Sequence, residues 1–312
     1  MTDEPWLIVG TGAMAGLFAA RLAAAGESVM MLGTWRAALD ALRTHGLRWR
    51  DERGREQTYP VRVADPEGPL AARGALVLVK AWQTERVAQQ LAARLPATTP
   101  VLTLQNGLGP QDVLRAALGA ARVTVGVTTY AARVLAPGMV QATGSGSVDL
   151  ARTPQGAFWA AALRRAGFVV HMHEDVRGLL WGKLAINAAI NPLTALLDVP
   201  NGALLDDPAA RLFMAQAARE VARVAAAQGI ALPFDDPVAR AFEVARRTAA
   251  NSSSMREDLR RGAPTEIDAI CGAVARRGRE VGQPAPLNEA LWMMVREAVT
   301  RRRAVQARTL DG

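Results

Sequence analysis

Three polar side chains, Lys183, Asn187 and Asn191, stand in the string Trp181-Gly182-Lys183-Leu184-Ala185-Ile186-Asn187-Ala188-Ala189-Ile190-Asn191-Pro192. At i, i+4 and i+8 they share one face of a helix. Their neighbours Leu184, Ile186 and Ile190 are apolar, so the stripe belongs to an element that is otherwise buried, where polar groups need partners. Two amides and an ammonium offer donors and acceptors to a small hydroxylated carboxylate. The lysine is informative by type as well. Of the 37 basic residues, only Lys80 and Lys183 are not arginine. Arginine stays charged at any workable pH, whereas lysine can release a proton and shifts its pKa readily when buried. The bland reading of the same stripe is helix–helix hydrogen bonding beside an exposed lysine.

Two further clusters carry polar chemistry. Asn251-Ser252-Ser253-Ser254-Met255 falls late in a helix predicted over residues 237–260. Hydroxyls compete for the backbone there, so the run reads as a frayed end or as a patch for a carboxylate. Pro264-Thr265-Glu266-Ile267-Asp268 opens a helix predicted over residues 265–281. Glu266 at its start is favoured by the helix dipole, with simple capping as the alternative.

These residues must be positioned by a scaffold, and the first elements of the chain are legible. An apolar strand, Trp6-Leu7-Ile8-Val9, runs into Gly10-Thr11-Gly12-Ala13-Met14-Ala15-Gly16. An alanine-rich helix follows and stops at Gly26, a natural C-cap. A second strand is expected over residues 29–32. Strand, glycine turn, helix and strand make a βαβ unit. Gly10 permits the tight turn, Gly12 lets backbone approach a pyrophosphate, and Ala15 takes the third position, for close helix packing. The phosphates would rest on N–H groups at the helix start. At the end of the second strand stands Leu32-Gly33-Thr34-Trp35-Arg36, with no carboxylate for ribose hydroxyls. Thr34 and Arg36 suit a 2′-phosphate instead, which favours NADP(H) over NAD(H).

Further strands are predicted over residues 75–79, 101–104, 123–129 and 168–170, with a hairpin over 138–150 turning at Gly144-Ser145-Gly146. In an open α/β sheet, ligands gather at the carboxyl ends of strands, and Gly10, Lys80 and Asn106 each follow one. From about residue 175 the pattern is helical, including residues 178–195 and 208–228. The fold class is therefore α/β: an N-terminal Rossmann-type parallel-sheet domain, residues 1–174, followed by an all-helical C-terminal domain, residues 175–312.

Composition narrows the function classes. With 312 residues, half of them apolar, the chain suits about two domains with sizeable cores. The net charge is +8, but the arginines are scattered and aromatics do not interleave with them, unlike a nucleic-acid footprint. No run is long enough for a membrane span. The start, Met1-Thr2-Asp3-Glu4-Pro5, lacks the basic region of a secretory signal. One cysteine, Cys271, builds no internal disulfide or thiolate site, and three histidines leave little for a metal, so no metal is expected in the chemistry. A cytoplasmic protein is expected, and its helical half could pair two copies into a homodimer.

The strings Leu78-Val79-Lys80-Ala81-Trp82-Gln83, Gln105-Asn106-Gly107-Leu108-Gly109, residues 181–194, Pro200-Asn201-Gly202, residues 251–255 and Thr265-Glu266-Ile267-Asp268 together resemble the ketopantoate reductases. The resemblance runs in order from Gly10 to about Gly272, and its lysine–asparagine helix is far more specific than its glycine turn. It implies NADPH-dependent reduction of 2-dehydropantoate to (R)-pantoate, in pantothenate and coenzyme A synthesis. By position it implies Lys183 as proton donor. It implies Asn187, Asn191, Asn201 and Ser254 as contacts to the 2-keto acid. Lys80, Asn106 and Ala132 would line the cofactor, with Asn106 also reaching substrate. Glu266 would sit near the nicotinamide ribose and the lysine. Two departures stand out: Ala15 replaces a usual glycine, and the basic residue after the second strand is shifted to Arg36. The alternatives are the same chemistry on another 2-keto acid, or a non-catalytic NADPH-binding regulator.

Overall fold

Trp6–Val9 are buried on both faces, as expected of a central strand in a parallel sheet. In the computed structural model, which describes residues 4–51 and 53–310, they form β1. Met1, Thr2 and Asp3, on which the reading of the leader rests, lie outside the described residues. The chain divides into two units, one running to Gln105 and over Pro110–Val176, the other comprising Asn106–Gly109 and the chain from Arg177 onward.

The first unit contains β1, α1 (Ala13–Ala24), β2 (Val29–Leu32), α2 (Arg36–His45), β3 (Leu47–Arg50), β4 (Glu56–Tyr59), β5 (Arg62–Val63) and β6 (Gly74–Val77). It continues through α3 (Thr84–Arg94), β7 (Val101–Thr103), α4 (Pro110–Leu118), β8 (Val123–Thr128), β9 (Ala131–Ala136), β10 (Met139–Gly144), β11 (Val148–Ala151), α5 (Pro154–Arg165) and β12 (Val170–His173). Eight strands form one sheet in the order β12-β11-β8-β7-β6-β1-β2-β5, parallel except where β11 meets β8. The order turns back on either side of β1, the doubly wound pattern whose switch point lies beside the first strand. One face packs α1 and α5, with Phe18, Trp159 and Leu163 in the core. The other packs α3 and α4 through Val87, Leu91 and Leu114.

The second unit is helical: α6 (Arg177–Leu197), α7 (Pro208–Ala226), α8 (Pro237–Arg247), α9 (Ser254–Arg260), α10 (Cys271–Glu280) and α11 (Pro286–Leu310). Its core gathers Leu184, Ala188, Met214, Val221, Ile270 and Val274. Glu220, fully buried on α7, accepts from the backbone N–H groups of Leu287 and Asn288 at 3.0 and 2.9 Å, so a carboxylate seals the start of α11. Burial and then the Glu220 charge push the Cys271 thiol well above its usual range, which leaves it inert. No helix among the described residues is long and apolar enough to cross a membrane.

Several expected elements are corrected. The hairpin over 138–150 does not form: β10 pairs with β9 and β3 in a separate four-stranded sheet, while β11 joins the large one. Gly144-Ser145-Gly146 is a crossing between sheets, and the tight turn lies at Pro137-Gly138, where Gly138 has φ 66°. The strand expected at 168–170 begins at Val170 because Phe168 completes the end of α5. Gly167 takes φ 76°, its N–H bonds Arg164 O, and Phe168 N–H reaches back to Leu163 O. The helix expected over 237–260 is two, broken at residues 248–253, where Ser253 caps α9 by accepting from Arg256 N–H at 3.1 Å. The helix expected from Thr265 starts at Cys271. Thr265 to Ile270 form a turn in which Glu266 O accepts from Ala269 and Ile270 N–H.

The glycine turn also divides its labour differently. Ala15 is buried against Gly10, whereas Gly16 faces β10: a Cβ there would lie 2.5 Å from Val140 Cγ1. Gly16→Ala should therefore destabilise the first unit by about 1–3 kcal/mol through overpacking, read as a lower midpoint in thermal unfolding, while the more open Gly12→Ala should leave that midpoint nearly unchanged.

Candidate active site

In the first unit the site is a backbone cradle. Gly10, at φ 133°, turns the chain directly after β1 and donates its N–H to Leu32 O at 2.7 Å. A Cβ at Gly10 would meet Leu78 O at 3.1 Å, so the turn is closed to larger residues. A Cβ at Gly12 would meet nothing within 4 Å, so the space above it is open. Gly12 is the N-cap of α1 and supplies no side-chain cap, and the first turn holds no acidic residue. The N–H groups of Ala13, Met14 and Ala15 are thus free of intrahelical partners, an arrangement that favours an anion. The residues present fit a dinucleotide pyrophosphate.

Beside the cradle, Gly33 brings the chain after β2 against Thr11, whose Cγ2 would be 2.6 Å from an added Cβ. Thr34 and Arg36 are exposed just beyond. Arg86, on α3, donates to Thr34 Oγ1 at 3.3 Å. The sequence reading did not single out this arginine, because only the packing of α3 brings it beside the end of β2. Lys80 follows β6 as the first residue of a short turn: its N–H donates to Gln83 Oε1 at 3.2 Å, and its carbonyl accepts from Gln83 N–H at 2.8 Å. Ala132 lies on β9, packed against the core that α1 helps to form.

In the second unit the polar stripe exists as spaced. Lys183, Asn187 and Asn191 are half-buried on α6, whereas Leu184, Ala188, Leu193 and Ala195 are buried. Among the described residues, neither asparagine amide of the stripe is committed to a hydrogen bond. Desolvation pulls the Lys183 ammonium down to about 8, and the negative charge of Glu266 opposes that fall. Glu266 is buried at 5% exposure, and its Oε2 accepts from Asn106 Nδ2 at 3.1 Å. Asn106 is held there by its neighbours. Leu108 N–H donates to Ala269 O at 2.8 Å, and Gly107, at φ 82°, has room for no Cβ, which would sit 2.3 Å from that same oxygen. The turn form of residues 265–270 is what presents Glu266 to both partners.

Asn201 is buried in the short turn Asn201–Leu205. Thr248 Oγ1 donates to Val244 O at 2.8 Å, so it accepts from the Asn201 amide nitrogen at 2.9 Å. That orientation leaves the Asn201 Oδ1 buried without a partner. Ser253, not Ser254, is the structural serine: its hydroxyl meets Thr194 Oγ1 at 2.7 Å and accepts from Arg256 N–H at 3.1 Å. Ser254 is exposed at the first position of α9. Three residues with no signal in the sequence, Asp198, Arg256 and Arg260, brace this region. Asp198, at φ 55°, ends α6 and accepts from Arg256 Nε at 2.9 Å and Arg260 Nε at 2.6 Å. Hydrogen bonds from Arg260 and then Arg256 hold its carboxyl below the usual range.

Because Lys80 and Lys183 are the only lysines, ¹³C-labelled lysine gives an NMR titration with two signals. One should titrate near 8 and vanish in Lys183→Arg. Glu266→Gln should move it lower, since the carboxylate is what favours the charged form; an unmoved signal would show that the two groups are not coupled.

Both units have counterparts among known proteins. Residues 6–155 match the model of the family described as Ketopantoate reductase PanE/ApbA, and residues 175–299 match its C-terminal model. The 2-dehydropantoate 2-reductase of Halobacterium salinarum is 35% identical over 298 residues, which cover 94% of this chain and 98% of that protein. That of Archaeoglobus fulgidus is 34% identical, covering 93% and 96%. Among solved structures, a PanE/ApbA family ketopantoate reductase from Ralstonia eutropha aligns with a TM-score of 0.89 at 32% identity, covering 96% of this chain and 99% of the other. D-mandelate dehydrogenase, solved with NADH and anilino(oxo)acetate, aligns at 0.88 and 26% identity, covering 96% and 99%. With both halves matched in order and full-length relatives above 30% identity, the chain belongs to the ketopantoate reductase PanE/ApbA family.

Proposed function

We propose that this protein reduces 2-dehydropantoate to (R)-pantoate with NADPH, a step of pantothenate and coenzyme A synthesis. The observation that carries the reading is Lys183: a desolvated ammonium near 8, faced by Glu266, on a stripe with two uncommitted amides. When bound, the reduced dinucleotide supplies a hydride to the substrate's C2 carbonyl carbon. The N–H groups of Ala13, Met14 and Ala15, with Gly10, Thr11 and Gly12 shaping the turn, hold its pyrophosphate. Thr34, Arg36 and Arg86 take the 2′-phosphate, and Lys80, Ala132 and Asn106 line the remainder.

The chain's own residues then handle charge and protons. As negative charge grows on the carbonyl oxygen, the Lys183 ammonium stabilises it. Its N–H bond breaks as the new O–H bond forms, leaving a neutral amine that solvent recharges. Glu266 holds the ammonium, and Asn106 fixes Glu266. The amides of Asn187 and Asn191, with the Ser254 hydroxyl, orient the substrate carboxylate. The orphaned Oδ1 of Asn201 accepts from the substrate's hydroxyl, which supports a hydroxylated keto acid over an aryl keto acid of the mandelate type. Leu212 and Phe213, exposed on α7 beside Pro286 and Leu287, form an apolar face that supports a homodimer. The buried free thiol of Cys271 fits the reducing cytoplasm.

A working acid must be protonated, so kcat/KM for reduction should be flat at low pH and fall above about 8, while oxidation of pantoate should rise through the same range. Lys183→Ala should lower kcat by ~10²–10⁴-fold with NADPH affinity kept. Lys183→Arg keeps the charge but is a very poor acid, so it should be nearly as slow and lose the limb near 8; normal turnover of either variant would end the proposal. Asn201→Ala should raise KM for ketopantoate about 5- to 150-fold, the equivalent of one buried hydrogen bond at ~1–3 kcal/mol, and should leave KM unchanged for the analogue lacking the hydroxyl.

A further inference from the structure

Two of the three histidines, outside the groups that handle substrate and cofactor, come together at the edge of the large sheet. His171 and His173 are alternate residues of β12, the edge strand, so both point to one face. Their inward neighbours Val170 and Met172 pack on the core. The parallel register sets Asp149 of β11 opposite His171, on that same outer face. Asp149 Oδ1 lies 2.8 Å from His173 Nε2 and 3.3 Å from His171 Nδ1. The three donor atoms are within 4.8 Å of one another.

We propose that Asp149, His171 and His173 form a surface site for a divalent transition metal of the Zn²⁺ class. Two imidazole nitrogens and one carboxylate oxygen are the donors this ion takes, and at bond lengths of ~2.0–2.2 Å tetrahedral ligands stand ~3.4 Å apart. The 3.3 Å separation already meets that spacing; the 2.8 Å one opens and the distance between the two imidazole nitrogens closes by small rotations of histidine side chains that are 57% and 35% exposed. The carboxylate is pre-set: Asp149 is 9% exposed, and its other oxygen, Oδ2, accepts from Ser147 Oγ at 2.9 Å. Such an orienting partner is the usual second layer of a metal site. Three protein ligands leave one position to solvent, as in open Zn²⁺ sites. The ion would tie the edge strand to its neighbour and has no part in ketone reduction.

The test uses untagged full-length protein. Titration with ZnCl₂ by calorimetry, and with CoCl₂ by visible absorption, should give one ion per chain and the spectrum of a tetrahedral cobalt centre. His171→Ala and His173→Ala should each weaken binding by at least ~100-fold, and Ser147→Ala by ~10-fold, as loss of an orienting partner does. Turnover of NADPH should be unchanged in all three. Absence of one-to-one binding in the native protein, or full binding by the double variant His171→Ala/His173→Ala, overturns the site.

Discussion

The structure depends on keeping one ammonium charged where water is scarce. Desolvation draws Lys183 toward neutrality, and the Glu266 carboxylate draws it back. The balance sits near pH 8, which is what the proposed proton transfer needs: an acid strong enough to give up its proton that still carries it at rest. For that proposed role, either influence alone would fail. A fully hydrated lysine holds its proton too firmly, and a buried one without a carboxylate loses it. The remaining architecture of the helical unit serves to bring these two groups, distant in sequence, into one environment.

That task falls to parts with little signal of their own. Glu266 is presented by a turn, not by a helix start, because the turn at 265–270 lets its side chain meet Asn106 while its carbonyl caps the turn. Asn106 arrives on a four-residue excursion that joins the second unit, made possible by Gly107 against Ala269. The end of α6 is set by Asp198 in a left-handed conformation, clamped by Arg256 and Arg260. A bidentate-capable arginine suits this role better than a lysine, in keeping with a chain that uses arginine for nearly every structural cation.

The first unit works on another principle. In the proposed reading its recognition groups are backbone N–H groups at a helix start, which rests on the absence of side chains at Gly10 and Gly12 and the close packing of Gly16 on β10. Such a site is local in sequence, and for that reason the glycine turn, β1, α1 and β2 were legible directly. The four-stranded sheet was not. β3 and β4 are only four residues each, β4 is polar apart from Tyr59, and β9 is alanine-rich and half-buried, so no sustained alternation marks them, and the break between β10 and β11 looks like a hairpin until pairing partners are known.

By itself, the amino-acid sequence determined the α/β class, the dinucleotide turn, and the helical spacing of Lys183, Asn187 and Asn191, because each is a periodicity or a short-range backbone requirement. Through resemblance it also pointed to Glu266, Asn106, Asn201 and Ser254 as the residues of the proposed site. Only the tertiary structure decided how these are held: Glu266 in a turn with Asn106, Asn201 with an unpartnered oxygen, Ser253 as the cap beside Ser254, Arg86 beside Thr34, and the histidine pair on Asp149. Each of these is a long-range pairing, and a chain's local preferences do not say which distant partner will satisfy a buried polar group.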